Sequence, residues 1–429
     1  MNDRLPLQPA PASARDATSW LAGRYRAVRA ATEALATPLS AEDCAIQSMP
    51  DASPVKWHLA HTSWFFETFV LGPHLPGYRV HDTAFRFLFN SYYNAIGDRH
   101  PRPRRGLLSR PSLDAVRAYR AHVDEAMSVL FTQETPIALS ALIELGVNHE
   151  QQHQELILTD LKHMLSCNPL APAYIPVRAA IARTGAPPMS WIEFGEGLVE
   201  IGHDGNGFAF DNETPRHREY LNAYAFASRC ITNAEYGAFI QDGGYRRPEL
   251  WLSEGWDWVN TNQVAAPLYW EESEAGPRQF TLYGMLPVEP DAPVCHVSLY
   301  EADAYARWAG ARLPTEAEWE SASAHAAIEG NFVEDGALHP RPAPRDPASL
   351  SQLFGDVWEW TQSAYAPYPG FRVAAGAVGE YNGKFMCNQY VLRGGSCATP
   401  RSHVRASYRN FFPASARWQF SGLRLARDL

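Results

Sequence analysis

The sequence predicts a multidomain protein that joins an all-helical N-terminal four-helix bundle to an α+β C-terminal domain. Three features of its 429 residues point there. Apolar residues recur at helical spacing from about residue 16 to 166. Residues 167–190 carry five prolines, a density that marks a linker. Beyond residue 190 the texture turns to short apolar runs, many Gly and Trp, and frequent turns.

Taken in order, residues 1–15 are Pro/Ala-rich and read as a flexible arm. Trp20, Leu21, Tyr25, Val28 and Leu35 recur with the period of a first helix. Ser53-Pro54 reads as an N-cap followed by proline at the first helical position, opening a second helix through Val70. Residues 72–110 look non-helical, and a connection of that length is usually functional. Pro111-Ser112 opens a third helix, with Leu113, Val116, Tyr119, Val123, Met127 and Leu130 on one face. The fourth runs from Ile137 to Leu165, with Leu142, Leu145, Leu156 and Met164 on one stripe. Four such helices over 16–166 pack as a bundle. Residues 191–429 then form the second domain.

Composition narrows the function. Hydrophobic residues at 46% and charged residues at 20% place the chain among folded proteins. Lys+Arg 37 against Asp+Glu 47 gives a net charge of −10, which argues against nucleic acid or an anionic membrane as partner. The six cysteines are scattered with no CxxC pair, so neither a disulfide scaffold nor a zinc ribbon is expected. The N-terminus lacks the apolar core of a signal peptide, and no run approaches the roughly 18 apolar residues of a membrane span. A cytoplasmic location is the expectation.

The strongest chemical signal is His149-Glu150-Gln151-Gln152-His153 in the fourth helix. Positions i and i+4 share a face, so both imidazoles can reach one ion. The string matches the zinc-protease pattern, but it lacks the H-x-x-G-x-x-H extension, and the following helix offers no obvious glutamate ligand before the Pro-rich stretch. A third histidine comes from the second helix, where His58 or His61 could serve. His61 shares a face with Trp57, Trp64 and Phe65 and points inward, so replacing His58 is expected to be mild beside replacing His153. Three neutral imidazoles leave roughly three positions open on an octahedral ion, which suits a non-haem Fe(II) that binds both a substrate and O₂.

At these residues a family resemblance appears. SPVKWHLAHTSWFFE (53–67), FNSYYNAIGDRHPRPRRGLLSRP (89–111) and NHEQQHQELIL (148–158) resemble the ergothioneine-type sulfoxide synthases. Independently, Val297-Ser298, Ala302–Tyr305, Arg312–Glu320, Val357–Thr361 and Val391–Ser396 resemble the formylglycine-generating-enzyme-like domain, a variant of the C-type-lectin fold. The resemblance implies a DinB-like bundle with iron ligands His61, His149 and His153. It implies Gln152 as the residue that holds the imidazole substrate. The implied reaction joins sulfur to C2 of trimethylhistidine (hercynine) with O₂, giving a sulfoxide. Tyr92-Tyr93 and Asn410-Phe411-Phe412 resemble the branch that uses cysteine in place of γ-glutamylcysteine.

The side-chain chemistry fits those roles. A trimethylammonium group cannot hydrogen-bond and is best held by aromatic faces, which Phe411, Phe412 and Trp418 offer. A phenol of Tyr92 or Tyr93 near the iron can donate a proton without bringing a competing charge. Among Arg99, Arg102, Arg104, Arg105 and Arg110, Arg102 is the choice for the donor's carboxylate. The active site is expected between the two domains, in a protein able to act as a monomer. Other readings stay open: a synthase taking selenium from a selenosugar, an ovothiol-type enzyme acting on histidine, and a lectin-like binding module without catalysis. A true formylglycine-generating enzyme is disfavoured, because Cys397 is followed by no second cysteine.

Overall fold

The computed structural model describes residues 14–176, 185–344, 350–374 and 377–429. These form two compact units, Met1–Ile157 and Leu158–Leu429. Of the expected arm, residues 1–13 lie outside the described residues, as do 177–184 of the expected linker. Among the described residues no helix is long and apolar enough to cross a membrane.

Four helices dominate the first unit: α1 (Ala14–Ala36), α2 (Val55–Phe65), α3 (Leu113–Leu130) and α4 (Ile137–Ser166), the last of which runs on into the second unit. Ser112 caps α3, its hydroxyl accepting from the Ala115 N–H. The entry to α2 differs from expectation. Pro54 is itself the N-cap, extended at ψ 145°, and Val55 is the first helical residue. Ser53, one residue before the cap, has its Oγ accepting from Arg105 at 2.9 Å. The α-helix also stops at Phe65 rather than Val70. Phe66–Leu71 continue it as a π-helical turn. From that turn the Glu67 carboxylate accepts the hydroxyls of Tyr78 and Tyr119, each at 2.7 Å.

The buried stripe of α4 is rotated by about one residue from the one expected, except at Met164, which is buried as expected. Leu142, Leu145 and Leu156 are half-buried, whereas Ile143, Val147 and Ile157 are buried. The helix turns polar residues inward because partners await them. Gln154 donates to the Val28 carbonyl at 2.9 Å and to Thr32 Oγ1 at 3.0 Å, both on α1. Gly146 lets α4 approach α2 closely, since a Cβ there would stand 2.6 Å from the Phe66 ring and 2.9 Å from Phe65.

Residues 72–110 are held to α2 by three donations to consecutive stretches of loop backbone. Trp64 Nε1 gives to the Arg86 carbonyl and Trp57 Nε1 to that of Leu88, both at 3.2 Å, and His61 Nδ1 gives to Phe89 at 2.6 Å. Short helical turns at Phe85–Leu88, Asn94–Ile96 and Arg102–Leu107 fill the rest.

The second unit is built of small sheets and long ordered loops. Tyr224–Ala227 lies between antiparallel Trp191–Phe194 and Ala426–Asp428. A four-stranded sheet runs Asn410–Phe412, Tyr390–Arg393, Trp358–Ala364 and Ser421–Gly422, the last pair parallel. The 312–320 motif shows its physical basis here. Thr315 and Glu318 cap the helix Glu316–Ser323 reciprocally, with Arg312 forked onto Glu318 at 2.7 and 2.8 Å. Trp319 Nε1 donates to Glu359 at 2.9 Å, and Arg424 pairs with the same fully buried carboxylate at 2.8 Å. Gly394, at φ +97°, is required because a Cβ would collide with the Leu353 carbonyl.

Lys162, in the last turns of α4, is buried with Nζ 2.7 Å from His296 Nε2 and over the rings of Tyr269 (5.0 Å) and Phe420 (4.9 Å). Burial pushes its pKa down to about 8. The unfolded chain holds that proton up to the ordinary lysine range, so it binds more protons than the folded chain between the two values. Unfolding free energy should therefore rise by up to about 3 kcal/mol as pH climbs from near 8 to near 10.5, and this gain should be absent below that window. Urea titrations at the two ends, compared with Lys162→Met, check this: the variant should lack the rise.

Candidate metal centre

One helical turn of α2 and one of α4 supply the centre. His61, His149 and His153 are all buried, and their ligand atoms lie within 4.8 Å of one another. The ring centroids are 4.6 to 5.0 Å apart. The Phe89 carbonyl can only accept, so His61 carries its proton on Nδ1 and presents a lone pair at Nε2. That Nε2 is buried and has no hydrogen-bond partner among the described residues. Burial lowers the pKa of all three rings, that of His149 to about 3, and His149 further lowers His61 and His153. Three neutral imidazoles around one point, with an orphaned nitrogen among them, fit a divalent cation.

Glu150 does not join them. It is fully buried on another side of α4, with Arg29 at 3.1 Å and Arg120 at 3.0 Å. Burial opposes its charge, but Arg29 and Arg120 outweigh that and hold its pKa down to about 2. The same arginines bind α2, Arg29 through Ser63 Oγ at 2.9 Å and Arg120 through the Leu59 carbonyl at 2.8 Å. The string that matches a zinc protease thus spends its glutamate on joining helices, which removes the general base that reading needs.

Aromatic rings sandwich His61. Trp57 stacks on it at 4.5 Å and 15°, Trp64 at 5.5 Å and 18°. Tyr93 is buried one ring further out, 5.6 Å from Trp64 and 5.1 Å from Phe69, and half-buried Tyr92 stacks on it at 4.7 Å. Gln152 is half-buried on α4, beside His153 in the chain. Arg102 is exposed, and its guanidinium donates to the Asp51 carbonyl. The arginine beside the histidine stack is Arg105, buried and 3.3 Å above the centre of the Trp57 ring. No spacing within a run of arginines distinguishes it; only the fold of the 72–110 segment does.

In the second unit Asn410, Phe411 and Phe412 share a strand and are half-buried. Phe411 stacks on Tyr365 at 4.0 Å and near Phe385 at 6.0 Å, while Phe412 meets Trp418 edge-on at 5.7 Å. Tyr365 and Phe385 carry no local sequence signal of this contact with Phe411. Asn410 Oδ1 accepts from the Phe411 N–H at 2.9 Å.

Comparison with known proteins agrees with both halves. Residues 24–157 match the DinB superfamily and residues 178–429 the Sulfatase-modifying factor enzyme 1-like domain. The chain is 33% identical to the hercynine oxygenase of Mycobacterium tuberculosis over 95% of its own length and 99% of that protein. It is 35% identical to the hercynine oxygenase of Mycolicibacterium smegmatis, over 89% of this chain and 93% of the relative. The formylglycine-generating enzyme of Streptomyces coelicolor is 29% identical over 45% of this chain and 73% of its own.

Proposed function

Because the chain belongs to the hercynine oxygenase family and is an oxidoreductase, we propose that it is an iron(II)- and O₂-dependent sulfoxide synthase that joins the sulfur of cysteine to C2 of hercynine. The observation that carries this is the buried trio His61, His149 and His153 with its orphaned Nε2. The iron, when bound, supplies the point where thiolate and O₂ meet and through which electrons pass to O₂. One oxygen atom enters the sulfoxide. The other leaves as water with the two hydrogens released from the thiol and from C2.

The chain's own residues hold the reactants and the protons. His61, His149 and His153 hold the metal, and Gln152 holds the substrate imidazole. Phe411 and Phe412, beside Asn410, offer faces to the trimethylammonium group. Arg102 is assigned to the donor's carboxylate. Tyr92 or Tyr93 delivers a proton to dioxygen as it is reduced, and the deep burial of Tyr93 near the His61 stack favours it.

The test is a mass-spectrometric screen of iron-loaded protein under O₂, pairing hercynine or histidine with cysteine, γ-glutamylcysteine or a selenosugar. The expected product is the cysteinyl sulfoxide of hercynine. Product only from histidine, or only from the selenium donor, would reassign the substrate. No product together with no bound iron would leave a binding module. A finer expectation concerns the tyrosines. Placing both oxygens on sulfur forms sulfinic acid and no water, so it needs no delivered proton. Phenylalanine at the active tyrosine should therefore raise sulfinic acid relative to C–S product with little change in substrate affinity. Unchanged ratios in both Tyr92→Phe and Tyr93→Phe would refute the role.

A further inference from the structure

We infer that His58, which lies outside the trio, is a positioning residue that fixes the tautomer of His153. The inference rests on reading the trio as metal ligands. His58 precedes His61 on α2 and is buried, with its ring centroid 5.1 Å from that of His153. The two Nδ1 atoms are 2.8 Å apart, which is a hydrogen bond in which one ring donates and the other accepts.

The direction of that bond decides whether His153 can ligate. When His153 donates from Nδ1, its Nε2 bears a lone pair. When His58 donates, the proton of neutral His153 moves to Nε2 and blocks the metal. Ligation through Nε2 therefore requires His58 to be the acceptor, with its own proton on Nε2. His61 obtains the same arrangement from the Phe89 carbonyl, an acceptor that cannot reverse. His58 performs that function for His153, and partners of this kind orient a ligating imidazole and raise its basicity. Replacing His58 is thereby expected to weaken metal binding, though less than replacing His153.

The experiment is anaerobic titration of the full chain with Fe(II) against a competing chelator, alongside thermal midpoints of the metal-free proteins. Asn places an oxygen near the position of Nδ1, whereas Leu has similar size and no acceptor. Wild type should bind one Fe(II) per chain. His58→Leu should bind about 10–100-fold more weakly, and His58→Asn should return to within a few-fold of wild type. His58→Ala replaces the leucine variant if that protein does not fold. Leucine or alanine binding within threefold of wild type would overturn the inference, as would asparagine binding as weakly as leucine. Wild type that binds no Fe(II) would instead overturn the reading of the trio, and the inference with it.

Discussion

Alanine at His153 is expected to remove iron and turnover together. Structural zinc sites with four ligands are worth about 10–16 kcal/mol, or roughly 3–4 kcal/mol per ligand, so losing one of three imidazoles should weaken binding by about two to three orders of magnitude. The backbone should tolerate the change, because His153 sits mid-helix and alanine is the best helix former. Metal analysis of purified protein and product detection by mass spectrometry read the two effects. Protein that keeps one iron per chain and full activity would show that the ligand set is wrong.

The second large effect is on stability. Glu150→Ala should lower the unfolding free energy by about 3–5 kcal/mol, the cost of stranding buried charge. Arg29 and Arg120, both almost wholly buried, lose the carboxylate that each approaches within 3.1 Å. Asp124, 2.7 Å from Arg29, and Glu33, 2.5 Å from Arg120, stay on the half-exposed side and compensate only in part. Against a usual total of about 5–15 kcal/mol, this is roughly a fifth or more of the margin. Glu150→Gln keeps one acceptor and should cost less than alanine. Urea unfolding of the three proteins decides it, and a loss below about 1 kcal/mol for alanine would mean that water replaces the carboxylate.

The parts of this molecule visible in the sequence are those encoded by short-range spacing. His149 and His153 declare themselves by one helical turn, and His61 by its face shared with Trp57 and Trp64. Thr315-x-x-Glu318 is likewise a complete local device, which is why the second unit is recognisable. The features that stayed hidden depend on partners far along the chain. The inward turn of α4 comes from Arg29, 121 residues from Glu150, and from Thr32, 122 residues from Gln154. Arg105 reaches the stack because the loop returns it to Ser53 and Trp57. The same return occupies Ser53, one residue before the cap.

The wide turn at Phe66–Leu71 amounts to one surplus residue in an otherwise ordinary helical run. Such a turn is a natural site for insertion or deletion. Losing one residue there would let the helix close in α register, and because the wide turn winds less per residue, the next segment would keep nearly the same orientation about the helix axis. Upstream, Trp57 to Phe65 and the histidines among them would keep their places. Within the turn, the hydroxyl clamp of Tyr78 and Tyr119 on Glu67 would have to be rebuilt. Length variation at this spot would thus be absorbed within the turn, at the cost of the Glu67 clamp, while the histidines of α2 upstream and the direction of the chain downstream stay where they are.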